Sequence, residues 1–156
     1  MHTKVRILLI LLLGVSFHAP RAIAFDWDPV TDAEKTMKSN PLDPGAGAVV
    51  LFKRGEVNVL QKTSNFWATR ILTYVRIKVL NDAGREAANV SVDTQKFVRL
   101  SKIEGRTVLS SGEIIPLDSS KVFRGRAYEA GKHFAIIRTN FTFPSVEPGA
   151  IIEYQI

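Results

Sequence analysis

A chain of 156 residues, 46% hydrophobic and 23% charged with a formal net charge of +6, is composed like one folded domain rather than a disordered tail. It has no cysteine, which excludes a disulfide framework, a thiol nucleophile and a lipidated cysteine anchor. It has three histidines, too few to complete a four-ligand zinc site without cysteine.

The first 24 residues read as a secretory signal: Lys4 and Arg6, then an apolar run from Ile7 to Phe17 broken only by Gly14 and Ser16, then Ala22-Ile23-Ala24 as a small-x-small cleavage site. A membrane span needs about 20 apolar residues, and His18, Pro20 and Arg21 stop this run short of that. The expected product is therefore exported to a periplasmic or extracellular space and does not span the membrane. Cleavage after Ala24 removes three of the 21 basic residues and none of the 15 acidic ones, so the net charge falls from +6 to +3. The remaining basic residues are dispersed, and no nucleic-acid partner is expected.

Residues 25–47 form an N-terminal segment. Pro29 to Lys38 predicts a short helix, with Thr31 as its cap and Glu34 at capping-box spacing. A helix of two turns must rest on something larger. Asn40-Pro-Leu-Asp-Pro-Gly-Ala-Gly47 closes the segment as a Pro/Gly linker. Residues 48–156 are the β-rich part. Ala48 to Phe52 predicts a buried strand, Lys53-Arg-Gly-Glu56 a turn, Val57 to Leu60 a partner strand, and Gln61 to Asn65 a polar loop.

The long strand from Trp67 to Leu80 organises the rest. Ile71, Thr73, Val75, Ile77 and Val79 share one parity; Arg70, Tyr74, Arg76 and Lys78 share the other. Alternation makes these an apolar face and a wet, basic face. Asn81-Asp-Ala-Gly84 then reads as a turn that folds the chain back into Asn89 to Asp93. Thr94 to Leu100 is a less regular connection. Lys102 to Leu109 and Glu113 to Leu117 predict a hairpin around Ser110-Ser-Gly112, with Pro116 marking an edge or terminal strand. Arg124 to Lys132 reads as a mobile basic loop, and Phe134 to Phe143 as a second long strand with Ile137, Thr139, Phe141 and Phe143 on one face. Glu147-Pro-Gly-Ala150 suits a type II turn, after which Ile151 to Ile156 begins a strand. The whole predicts an all-β, antiparallel β-sandwich or partly open barrel with one short N-terminal helix.

Candidate chemistry is sparse. His133, beside Gly131 and Lys132, reads as a solvated loop histidine rather than a catalytic base. Asp26, Asp28 and Asp32 lack calcium-loop spacing. No catalytic residue, metal site or cofactor is implied, although paired carboxylates distant in sequence are invisible to this reading. Lys121, Arg124, Arg126 and Lys132 are the candidate contacts for an anionic polymer or an acidic partner. Tyr74, Trp67 and Phe66 are the candidate stacking surface for a polysaccharide, against their reading as core or sandwich-edge aromatics. Asn89-Val-Ser91 and Asn140-Phe-Thr142 fit the N-glycosylation pattern, which matters only in a host that glycosylates.

Four stretches carry a family resemblance. Trp27-x-Pro-Val-Thr-x-x-Glu34 followed by Asn40-Pro resembles the opening of the bacterial domain of unknown function that precedes transglutaminase-like domains in secreted proteins. Tyr74-x-Arg-Ile-Lys-Val-Leu-Asn-x-x-Gly-Arg85 resembles its long hairpin, and Gly105-Arg-Thr-Val-Leu-x-x-Gly-Glu-Ile-Ile-Pro-Leu117 its second. Phe143-Pro-x-Val-Glu-Pro-Gly-Ala-Ile-Ile-Glu-Tyr154 is similar to a third segment. The resemblance implies a non-catalytic exported module that scaffolds or presents substrate to an adjacent Cys-His-Asp transglutaminase/protease-like domain, or to a protein partner. None of that domain's catalytic residues maps onto this chain. The end at Ile156 falls inside an expected strand, so the β-domain reads as incomplete at its C-terminal side and the chain as a truncated or split product. Ile151 to Ile156 would then be an unpartnered apolar edge, and the protein oligomer-prone or marginally stable.

Overall fold

Ala48–Thr63 (β1) and Phe66–Val79 (β2) form one long antiparallel hairpin, paired from Ala48↔Val79 to Thr63↔Phe66. The computed structural model describes residues 26–156, so the signal-peptide reading of residues 1–24 lies outside the described residues. Six further strands follow: Asn89–Gln95 (β3), Glu104–Val108 (β4), Ile114–Pro116 (β5), Phe123–Ala130 (β6), Phe134–Thr142 (β7) and Ile151–Gln155 (β8). They build a five-stranded sheet in the order β1-β2-β8-β4-β5 and a three-stranded sheet in the order β3-β7-β6. Every pairing is antiparallel. The architecture is the expected all-β sandwich, without closure into a barrel.

The core lies between the sheets. Val79 and Ile152 from the larger sheet meet Phe141, Phe143 and Ala88, with Ile77, Val90, Val92 and Tyr154 at its margin. The parity expected for the second long strand holds: Thr139, Phe141 and Phe143 are buried while Arg138, Asn140 and Thr142 are exposed. The hairpin around Ser110-Ser-Gly112 forms, and β5 with its Pro116 is an edge strand. Glu147 to Ala150 closes as a turn, with Ala150 N donating to Glu147 O and Gly149 at φ +93°, a conformation suited to glycine.

Five expectations need correction. There is no turn at Lys53-Arg-Gly-Glu56: β1 runs through it, and Gly55 pairs with Thr73. What the apolar run Ala48 to Phe52 encodes instead is a bulge between Val50 and Phe52, which moves Phe52 onto the opposite face from Val50. Asn81 to Gly84 does not fold β2 back on itself. A 3-10 helix, Asp82–Ala88, carries the chain across to β3 in the other sheet. Its glycine is required by close approach, because a Cβ on Gly84 would lie 1.9 Å from Gly47 O. Arg124 to Ala130 is strand β6 rather than a mobile loop. β8 is no edge: it lies between β2 and β4 and pairs with both. Finally, the supposedly wet face of β2 is buried from Tyr74 to Lys78, with Tyr74 at 0%, Arg76 at 2% and Lys78 at 0% exposure, while Arg70 stays exposed.

The outer face of the smaller sheet is a polar ladder that accounts for both glycosylation-like triplets. Asn89 is opposite Thr142 and Ser91 opposite Asn140. Thr142 Oγ1 donates to Asn89 Oδ1 at 2.9 Å, and Ser91 Oγ to Asn140 Oδ1 at 2.6 Å. The next rung is the fork of Arg138 onto Asp93, both bonds 2.7 Å.

Candidate functional site

Two regions of the large sheet depart from a plain sandwich, and β2 runs through both. The first lies on the side away from the core. Antiparallel register places Phe52, Arg76, Glu153, Arg106 and Pro116 in one row across all five strands. Thr73 and Ile156 exchange both backbone hydrogen bonds. By alternation, Arg76 and Glu153 are therefore a pair without mutual backbone bonds, the more closely spaced kind.

The N-terminal segment lies across this row as a strap. Its helix, Asp32–Thr36 (α1), is capped as expected: Glu34 N donates to Thr31 Oγ1, and Thr31 N donates back to Glu34 Oε2 at 2.7 Å. Arg76 then uses its whole guanidinium. Nε donates to Glu153 Oε1 at 2.8 Å, Nη1 to both Glu34 oxygens at 2.9 and 3.0 Å and to Pro29 O, and Nη2 to Asp28 O and Tyr74 Oη. Glu153 also accepts from the Tyr74 hydroxyl and, at 2.6 Å, from Arg106 Nε. Lys78 Nζ donates to Lys35 O at 2.8 Å and Gly149 O at 2.6 Å, tying the strap to the sheet. Rings seal the seat: Trp27 and Phe52 meet Tyr74 edge-on at 5.4 and 4.9 Å, and the Arg106 guanidinium lies 4.7 Å from the Trp27 ring centre.

The electrostatics follow from burial set against partners. Burial pushes Glu34 up, but the Thr31 backbone amide and the Arg76 guanidinium outweigh it and hold the carboxyl below its usual range. Burial, followed by the Glu153 carboxylate, raises the Tyr74 phenol to about 12. Burial lowers Arg76, yet its bonds to Glu34 and Glu153 leave it raised overall. Lys78 is lowered by burial and by nearby Lys38, which outweigh the Glu34 carboxylate, and its ammonium donates to two carbonyls. The donors of Tyr74, Arg76 and Lys78 all have protein acceptors, so this region is a structural clamp.

The second region is a cleft of about 1000 Å³ where the hairpin of β1 and β2 projects past β8. Its floor includes Trp67, Ile71, Val75, Val92 and Tyr154, and its far wall Phe97, Val98 and Leu100. Lys53, Lys62, Arg70 and Arg99 also line it. None of these four makes an ion pair among the described residues. Trp67 is 59% and Ile71 63% exposed, an unusual state for an apolar strand face.

The residues singled out from sequence do not converge. Trp67 lines the cleft and Phe66 is exposed beside it, whereas Tyr74 belongs to the buried clamp and cannot offer a ring to a ligand. Lys121, Arg124, Arg126 and Lys132 are exposed on or next to β6 of the other sheet, where Arg126 pairs with Glu129. His133 is exposed in the turn between β6 and β7. The cleft's cations and the Phe97 wall were missed, because they come from three separated stretches of chain. Among the described residues no three Asp, Glu or His side chains gather as metal ligands, and no helix is long and apolar enough to cross a membrane. No protein-family model matches the chain, and neither the curated proteins nor the solved structures contain a match.

Proposed function

We propose that this chain is a non-catalytic, exported binding module that scaffolds or presents polypeptide to an adjacent transglutaminase/protease-like domain or to a protein partner. The observation that carries this reading is the cleft itself: an apolar floor with cations around it that make no ion pair among the described residues. Its one carboxylate, Asp93, is committed to Arg138, and its Ser91 hydroxyl to Asn140. Apolar surface with a few directing polar groups is what a binding site needs. The four stretches resembling the transglutaminase-associated domain support the same reading and supply the adjacent domain as the expected context. The expected result is no turnover in an amine-incorporation assay or a peptide-release assay on a casein-type substrate; turnover in either overturns the non-catalytic reading.

The exposed rings of Phe66 and Trp67 favour a second reading, a module for an envelope polysaccharide or other surface polymer. Retention on cell-wall material at high salt supports it. Elution at moderate salt reduces the contact to electrostatics through residues such as Arg124 and Arg126.

A further inference from the structure

The outer face of the smaller sheet carries rings as well as its polar ladder. β6 pairs with β7 so that Phe123 stands opposite Asn140 and Gly125 opposite Arg138. A register shift between Arg126 and Tyr128 inserts one extra residue, after which Tyr128 stands opposite Ile136. Residues directly opposite each other share a face. The bulge therefore turns Tyr128 onto the side that Phe123 and Asn140 occupy, where unbroken alternation would have put Glu129. Its ring meets Phe134 edge-on at 6.2 Å on the same side. Phe123 is 65% and Tyr128 55% exposed. Their partners lie four residues apart along β7, Asn140 to Ile136, which separates the rings by about 13 Å. No side chain of β6 rises between them: Gly125 holds that place, and a Cβ there would meet no atom within 4 Å.

The polar groups beside these rings are fixed but not used up. Ser91 Oγ donates to Asn140 Oδ1, and Arg138 gives Nε and Nη2 to Asp93. Among the described residues, Asn140 Nδ2 and Arg138 Nη1 donate no bond. Cross-strand bonds hold both side chains before any ligand arrives, which lowers the entropy cost of binding. A sugar chain complements such a surface, with hydroxyls that accept from amide and guanidinium N–H groups and C–H faces that lie on aromatic rings. Charge narrows the choice. On this face the charged side chains of the three strands are Asp93 and Arg138, which neutralise each other, whereas Arg124 and Arg126 stand opposite Thr139 and Ile137 on the other side of β6.

We infer that this face is a platform for a neutral polysaccharide, with Phe123 and Tyr128 stacking on sugar rings and Asn140 and Arg138 donating to the hydroxyls between them. The inference rests on the polysaccharide reading and moves its contact from Phe66 and Trp67 to the other sheet.

The test is affinity electrophoresis of the full chain in gels containing laminarin, galactomannan or hydroxyethyl cellulose at high salt, with polygalacturonate as the charged control. Retardation by at least one neutral polymer is expected. Phe123→Ala and Tyr128→Ala should each weaken it about tenfold, the loss of one stacked ring. Gly125→Leu should abolish it and leave the urea midpoint unchanged, since the added side chain meets open space rather than protein. No retardation in any neutral gel, retardation that survives Gly125→Leu, or a preference for polygalacturonate that vanishes at moderate salt overturns the inference. So does saturable casein binding blocked by Gly125→Leu, which assigns the face to polypeptide. Retardation lost in Trp67→Ala but kept in Gly125→Leu would sink the platform alone and leave the polysaccharide reading at the cleft. No retention on any of these polymers or on cell-wall material would sink that reading itself.

Discussion

The two halves of β2 belong to one continuous strand, each with an arginine on the same face, and meet opposite fates. In the half from Tyr74 to Val79 both faces are covered, one by the smaller sheet and the other by the strap. In the half from Phe66 to Leu72 no residue is fully buried. The difference lies in the partners that distant chain segments supply. Arg76 is buried because Glu153, Glu34 and two strap carbonyls reach it; Arg70 stays exposed, and no acceptor among the described residues reaches it. An arginine in a strand therefore says little about exposure until its acceptors are located.

The sharpest way to break the contrast is Glu153→Ala. It strands Arg76, Arg106 and the Tyr74 hydroxyl around an empty centre and should cost about 3–5 kcal/mol in urea unfolding. Ile71→Ala on the bare half should change stability by no more than about 0.5 kcal/mol. Next in size is Gly84→Ala, whose methyl would collide with the Gly47 carbonyl; a cost of about 1–3 kcal/mol is expected from the same measurement. Thr31→Ala removes the strap helix's cap and should cost about 1 kcal/mol.

Acid and alkali probe the clamp, with Asp93 and Asp118 also lowered at the acid end and Tyr154 also raised by burial at the alkaline end. Glu34 is held below its ordinary 4.5, so its contribution is complete above that pH and is lost as pH falls through the folded value. Tyr74 is raised, so its contribution is complete below pH 10 and is lost as pH rises through about 12. Lys78 opposes Tyr74: its unfolded amine holds the proton longer, so stability recovers as pH climbs toward 10.5. Glu34→Gln should flatten the acid limb of stability against pH, and Tyr74→Phe the alkaline one. The smallest expected effect is spectroscopic. Trp27 lies in the clamp and Trp67 in the bare half, so acrylamide should quench Trp67→Phe protein less than wild type.

Much of the fold was legible because it is local. The capping box at Thr31 and Glu34, the parity of Phe134 to Phe143, the hairpin at Ser110 to Gly112 and the turn at Glu147 to Ala150 are each set within about ten residues. What was not legible depends on pairing across the chain. The bulge at Val50–Phe52 left no signature that separates it from a buried run, and Lys53-Arg-Gly-Glu56 has turn-like composition inside a continuous strand. The burial of Tyr74, Arg76 and Lys78 could have been suspected from Glu153, a carboxylate between the apolar Ile152 and Tyr154, which needs a buried cation. Of the candidate site, Trp67 alone was found, since a cleft assembled from β1, β2, β3 and the 97–101 stretch has no contiguous motif.

The crossed rungs between Asn89 and Thr142 and between Ser91 and Asn140 have a bearing on how the protein is produced. Each asparagine's Oδ1 is held by the hydroxyl of the other triplet, which leaves its Nδ2, the atom that a secretory host glycosylates, outside both bonds on an exposed face. Material from a yeast or animal secretory host should then carry sugar on this face, and Asn89→Gln with Asn140→Gln should remove the added mass.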